Sequence, residues 1–224
     1  MKVFNEIPFD FDFDKFSKKI NIEKYNSEMK NKIDSILEET LPLVKPKALY
    51  KVAYVEEKEK NNVIIDDVKF FSEVLRENLD DINRVFPFVA TCGNELEQIQ
   101  EDTNDFLVEY WIDILKEMSL AAASKYLHNH IKEKYKIEQI SSMNPGSGDV
   151  DLWPIEQQEQ LFSLLGDVKD SIGVQLTDSH LMVPNKSVSG IYFPTDIKFI
   201  NCQYCTRKDC PSRKAPFKKN SVQE

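Results

Sequence analysis

The sequence predicts an α+β fold with long helices, and three observations predict it. Helical and strand-forming stretches are mixed without the regular β–α–β alternation of a doubly wound sheet. A stretch from Asn94 to about Tyr135 carries its apolar residues at helical spacing. Two other regions, Ala48 to Ile65 and Ser187 to Phe193, are rich in the residues that favour strands and hairpins.

Taken in order, residues 14 to 41 read as mostly helical, with Ile22, Tyr25, Met29, Ile33, Ile36 and Leu37 near a helical period. Pro42 lacks the N–H needed to continue that ladder. Ala48 to Val55 and Val63 to Ile65, on either side of a charged turn, read as a hairpin. Val68 to Leu79 reads as a short amphipathic helix. Val85 to Thr91 reads as a buried strand that Pro87 would place at a sheet edge. Asn94 and Glu97 then resemble a capping box opening the long helix, whose length makes a break plausible. Asn144 to Trp153 is a loop. Pro154 suits the first turn of a further helix and Gly166 its end. Gly173 to Leu176 and Ser187 to Phe193 read as strands. The expected organisation is one domain over residues 1–200 and a cysteine-containing tail over 201–224.

The chain has 224 residues, 29 Lys and Arg, 38 Asp and Glu, and a formal charge of −9. Nonspecific nucleic-acid binding draws on clustered cations. Here the basic cluster is the short stretch Arg207 to Lys219, so no nucleic-acid partner is expected. The longest apolar runs, such as Val85 to Ala90, fall far below the ~20 residues of a membrane span. The acidic N-terminus has no apolar signal core. A cytoplasmic protein with no membrane partner is therefore expected.

Three of the four cysteines form Cys202-x2-Cys205-x4-Cys210, and Cys92 stands apart. In a reducing compartment this spacing points to metal or redox chemistry more than to structural disulfides. Three thiolates suit zinc or an iron–sulfur cluster, with Cys92, His180 or an external group as the fourth ligand. The alternative is a reduced, unligated tail or a redox-sensitive pair. Cys92 reads as a buried spectator, or else as a thiol activated at a helix start. His128 and His130 read as surface residues. No Ser/His/Asp set, HExxH, P-loop or GxGxxG is present. Two other segments are candidates. Pro145 to Asp149 could cradle a ligand with backbone N–H groups, with Asp149 or Asp151 offered to a ribose or amine, or could be a plain surface connection. Ser187 and Ser189 share one strand face and could line a groove, or could belong to a strand on which a helix packs closely.

Two blocks carry a family resemblance. One is Phe88-Val89-Ala90-Thr91-Cys92-Gly93-Asn94-Glu95-Leu96-Glu97 with the helix that follows. The other runs from Pro145-Gly146 through Ile172 to Ser179 and Met182-Val183-Pro184 to Ser187-Val188-Ser189-Gly190-Ile191-Tyr192-Phe193. In order and spacing, over roughly residues 85 to 195, the chain resembles the reactivation domain of cobalamin-dependent methionine synthase, as a stand-alone relative. The tail ending Cys210-x2-Arg213 is similar to that of stand-alone members.

The resemblance implies an α+β body with a twisted antiparallel sheet. It implies S-adenosylmethionine as methyl donor in the reductive methylation of a cobalamin held by a partner, linked to methionine biosynthesis. The partners implied are a corrinoid-binding protein or truncated methionine synthase and an electron-donor protein. The ligand residues implied are Asn144, Pro145, Gly146, Ser147, Ser187, Ser189 and Tyr192. The family's Arg-x-Ala-Pro-Gly-Tyr loop corresponds to Ser142-Met143-Asn144-Pro145-Gly146-Ser147, so serines stand at the Arg and Tyr positions. A serine cannot fork onto a carboxylate as an arginine does. The rival expectation is a noncatalytic corrinoid-protein-binding or metal-binding module that keeps the fold without the adenosylmethionine grip.

Overall fold

Asp12 and Asn26 each start a helix by accepting the backbone N–H three residues on, at 2.9 Å. In the computed structural model, which describes residues 1–102, 104–148, 152–196, 199–210 and 213–217, these helices are α1 (Phe13–Ile20) and α2 (Ser27–Thr40). The single helix expected over residues 14 to 41 is therefore divided. Asn21 takes a left-handed conformation, and Tyr25 and Asn26 are extended. The helical period continues through both pieces, which is why the sequence pattern hid the break. Pro42 does fall just past α2.

The strands are β1 (Lys2–Phe4), β2 (Lys47–Tyr50), β3 (Ala53–Lys58), β4 (Asn62–Ile65), β5 (Val68–Phe71), β6 (Arg84–Thr91), β7 (Ile140–Met143), β8 (Gln175–Leu176), β9 (Met182–Val183) and β10 (Ser187–Pro194). The remaining helices are α3 (Glu73–Asn78), α4 (Glu97–Asp102), α5 (Phe106–Tyr135), α6 (Gln158–Leu165) and α7 (Val168–Ile172). One expectation is corrected. Val68 to Phe71 is a strand, because Asp66 and Asp67 both take positive φ in a two-residue hairpin loop that pairs β5 with β4. Only then does Ser72 cap α3, accepting from Leu75 N–H at 3.0 Å. The long helix is broken before Phe106, where Asp105 caps α5 by accepting from Leu107 N–H at 2.9 Å.

The main sheet runs β1-β2-β6-β3-β4-β5, with β10 on the other side of β6 and β7 beyond it. All the described pairings are antiparallel. The strand expected at an edge, β6, is the centre. Pro87 accepts from Lys51 N–H at 3.0 Å, so its missing N–H lies on that same side. There β6 changes partner from β2 to β3, so Pro87 falls between the two ladders.

Both faces of β6 are covered, so its sequence is apolar without alternation. Val85 and Val89 join Leu49, Ile191 and Phe193 under α3, α6, α7 and Trp153. Phe86, Phe88 and Ala90 join Tyr50 and Tyr192 under Ala123, Leu127 and Ile131 of α5. Each fully buried ring of this kind contributes roughly 2–3 kcal/mol. The first half of α5 is covered in turn by α1 and α2, through Trp111, Ile112, Leu115, Phe16 and Ile33. His128 and His130, expected on the surface, are half-buried because they flank the buried Leu127 and Ile131. His128 meets the Tyr192 ring edge-on at 5.8 Å, and His130 meets Phe4 at 4.7 Å.

Candidate functional site

The proline–glycine turn is stapled to the central strands. Asn144 Nδ2 donates to the Ser189 carbonyl at 2.6 Å. Gly146 N–H donates to the Trp153 carbonyl at 2.8 Å, and Ser147 N–H to the Asn144 carbonyl at 3.1 Å. Gly146 has φ +73, and a Cβ there would press on the Ile155 side chain. Pro145 is buried. The Ser189 hydroxyl is 1% exposed and donates to Gln158 Oε1 on α6 at 2.6 Å. Ser187 Oγ lies 2.9 Å from Thr91 Oγ1 and 2.8 Å from the Pro184 carbonyl.

Tyr192 lies on the opposite face, stacked on Phe88 at 4.1 Å with an interplanar angle of 17°. Burial pushes its phenol above the usual range. The structure thus brings Asn144, Gly146 and Ser189 together, with Ser187 further along the strand, and sets Tyr192 apart from them. Asp149 and Asp151 lie outside the described residues.

Two grooves open where β10 ends, and none of those seven residues lines them. One, of about 420 Å³, is formed by the end of α3 and the loop after it, by Pro194 to Asp196, and by Phe199, Gln203 and Tyr204. Its walls carry Glu77, Asp80, Asp81 and Asp196, and the stacked Phe199–Tyr204 pair, 5.4 Å apart at 27°. Phe199 is anchored by its N–H to Ser141 Oγ at 3.0 Å. Among the described residues only Asp80 of the four acids has an ion pair, with Arg76 at 3.2 Å. The groove therefore presents negative charge beside aromatic surface, which favours a flat, cationic ligand. The other groove, of about 750 Å³, lies between Arg84, Tyr135 to Gln139, and Pro194 to Asp196. The resemblance implies further ligand contacts near Phe199 to Asn201, and Phe199 does line the first groove; sequence reasoning missed the other positions. Glu77, Asp80 and Asp81 look like an ordinary solvated helix end and the loop after it, and only the fold brings them beside Phe199 and Tyr204.

The tail cysteines are free and half-buried. Arg213 organises them through its guanidinium. It donates to the carbonyls of Cys202 at 2.9 Å, Cys205 at 3.1 Å and Ala215 at 3.2 Å, and to that of Arg207. Lys214 N–H lies 3.4 Å from Cys202 Sγ. Among the described residues no three His, Cys, Asp or Glu side chains gather as a metal site. Neither expected fourth ligand joins the tail. His180 pairs with Glu159 at 3.3 Å. Cys92 is buried just past the end of β6, and burial pushes its thiol up to about 11. Residues 211, 212 and 218–224 of the expected tail lie outside the described residues. The capping box also resolves differently. Asn94 Nδ2 donates to the Gly173 carbonyl at 3.0 Å, and Glu97 pairs at 2.6 Å with Lys116, which is 1% exposed. No helix among the described residues is long and apolar enough to cross a membrane.

An antiparallel sheet whose central strands are covered on both faces by helices, one of them long, defines a mixed α+β fold. Residues 57–210 match the profile of the vitamin B12 dependent methionine synthase activation domain, and the chain belongs to that family. Among solved structures it is similar to one described as the MetH reactivation domain bound to AdoHcy. That similarity has a TM-score of 0.58 at 17% identity and covers 84% of this chain and 67% of the other. It establishes the mixed α+β fold with its antiparallel sheet and long helix. No curated protein matches the sequence.

Proposed function

We propose that the chain supports reductive methylation of a cobalamin carried by a partner protein, with S-adenosylmethionine as methyl donor, and so serves methionine synthesis. The observation that carries this reading is the acidic, aromatic-walled groove at the end of β10, whose lining residues all fall within the span matched to the activation-domain family. In this reading Glu77 and Asp81 face the positive charge of the adenosyl sulfonium, and Phe199 and Tyr204 offer ring surface to its adenine. The bound corrinoid would supply the methyl-accepting metal. One electron from a donor protein would reduce cob(II)alamin, the methyl would pass from sulfur to cobalt, and S-adenosylhomocysteine would leave. A corrinoid-binding protein or a truncated methionine synthase is the partner this chemistry calls for. Asn144, Pro145, Gly146, Ser147, Ser187, Ser189 and Tyr192 then act by holding the sheet that carries the groove.

A second reading is a noncatalytic corrinoid-protein-binding or metal-binding module. Ser142 and Ser147, at the Arg and Tyr positions of the family loop, favour it, as does the Arg213-fastened cysteine loop. Isothermal titration of the full chain with S-adenosylmethionine and S-adenosylhomocysteine separates the two. Binding near the micromolar range, weakened about tenfold by Tyr204→Ala for both ligands and by Asp81→Asn for S-adenosylmethionine, supports the first. Silence up to millimolar ligand supports the second. Metal analysis of protein purified without air completes the test, and a sample free of zinc and iron removes the metal part.

A further inference from the structure

Arg84 is the first residue of β6, and its exposed guanidinium is held over two rings. It lies 5.1 Å from the Tyr135 centroid and 5.7 Å from that of Phe86. Such stacking fixes the plane of the cation while leaving its N–H fork unused. No carboxylate among the described residues forms an ion pair with it. Lys136 stands beside it at the end of α5, in a left-handed conformation that turns the chain out of the helix. Both line the groove of about 750 Å³, and so do Glu138 and Asp196. Asp196 is positioned by its neighbours. The Gln139 side chain donates to the Asp196 carbonyl at 3.4 Å, and Thr195 N–H donates to the Gln139 carbonyl at 3.2 Å.

Two cations and two carboxylates around one groove are mismatched to a simple anion, which the acids would repel. They match a group carrying both signs on one carbon. The groove also shares its Pro194 to Asp196 lip with the acidic groove, and where the chain enters β6 Ile82 lines one and Arg84 the other. We propose that Arg84 and Lys136 on one side, and Glu138 and Asp196 on the other, form a receptor for an α-amino-acid head group. The guanidinium takes the carboxylate as a planar fork, and the acids take the ammonium. This rests on the adenosyl reading above and adds to it: the nucleoside end sits by Phe199 and Tyr204, and the amino-acid end crosses the lip toward Arg84. Ser142, two residues into β7 from Ile140, supplies only a hydroxyl, which lies 3.5 Å from Asn144 Oδ1.

The test compares two probes on the full chain by titration calorimetry. S-adenosylhomocysteine has the amino-acid head, and 5′-methylthioadenosine lacks it. Wild type should bind the first about 10- to 100-fold more tightly, the span of a charge-assisted pair. Arg84→Gln should lose most of that preference and leave methylthioadenosine binding unchanged. Asp196→Asn and Lys136→Gln should each lose part of it. Arg84 is exposed, so its variant is expected to melt like wild type. Equal wild-type affinity for the two probes overturns the inference while leaving the adenosyl reading standing. So does an Arg84→Gln protein that keeps the preference, or one that weakens both probes alike. Wild type that binds neither probe overturns the adenosyl reading and the inference with it.

Discussion

Replacing Gly190 with alanine tests how the proline–glycine turn is fixed to the sheet. A Cβ at position 190 would collide with the Met143 backbone carbonyl and would lie 2.5 Å from Asn144 Nδ2. The carbonyl belongs to β7, which is locked to β10 by the pairs Ile191–Met143 and Tyr192–Ser142. It cannot turn aside as a side-chain end could. Relief requires β7 to move off β10, at about 1–3 kcal/mol for overpacking. It also breaks the 2.6 Å bond from Asn144 to the Ser189 carbonyl, at about 1–2 kcal/mol more. The lower entropy of an unfolded alanine returns roughly 0.5–1 kcal/mol. The net expectation is a loss of about 3 kcal/mol. For a chain of this length that lowers Tm by about 6–12 °C. Differential scanning calorimetry measures the shift, and urea unfolding should show a lower midpoint with an unchanged slope. Because the nearest obstacle is backbone, Asn144→Ala should not rescue the variant. A Tm within about 2 °C of wild type, or full rescue in the double variant, would refute this account of the turn.

Thiol titration of the native protein near ~pH 8 should modify Cys202, Cys205 and Cys210 quickly, and Cys92 only on unfolding, because burial both shields it and disfavours its thiolate. Arg213→Lys should free the cysteine loop without lowering global Tm, since it removes the fork that ties four carbonyls. Limited proteolysis after Arg207 should speed up about tenfold or more, and unchanged cleavage would count against the loop being held this way. Asp66 is pushed up by partial burial but held below its ordinary value on balance by Lys51 and the Tyr54 N–H. A depressed carboxylate stabilises above its unfolded pKa and loses that contribution as pH falls through the folded one. The stability gap between wild type and Asp66→Asn should therefore be full at neutral pH, begin to shrink near roughly pH 4, and be lost only below the depressed folded pKa; a constant gap would contradict the pairing. Glu97→Ala removes the carboxylate 2.6 Å from the buried Lys116 ammonium and should cost about 3 kcal/mol in chemical denaturation. Lys116→Met should cost less, because Glu97 is 30% exposed and can hydrate.

Much of the architecture was legible from local chemistry. Pro42, Pro154 and Gly166 punctuate helices as their backbone constraints require, and the Ser187–Phe193 run is a strand whose two serines share a face. The errors arose where a distant partner decides the outcome. Val68 to Phe71 became a strand because β4 offered a ladder. Pro87 sits in a central strand because two partners meet beside it. The resemblance blocks identified the fold and family, but the serines within them bind their own sheet and turn. The acidic groove depends on α3, β6, β10 and Phe199 meeting in space, and no spacing along the chain reports that. Arg84 carried no signal at all in one dimension.

The acidic, aromatic groove at the end of β10 is the proposed seat of the adenosyl ligand. Amide chemical-shift mapping of the full chain with S-adenosylhomocysteine addresses it directly. The expected result is saturable shifts at Glu77 to Ile82, Thr195, Asp196 and Phe199 to Tyr204, abolished by Tyr204→Ala. Shifts concentrated at Asn144 to Ser147 and Ser187 to Tyr192, or no shifts at millimolar ligand, would contradict it.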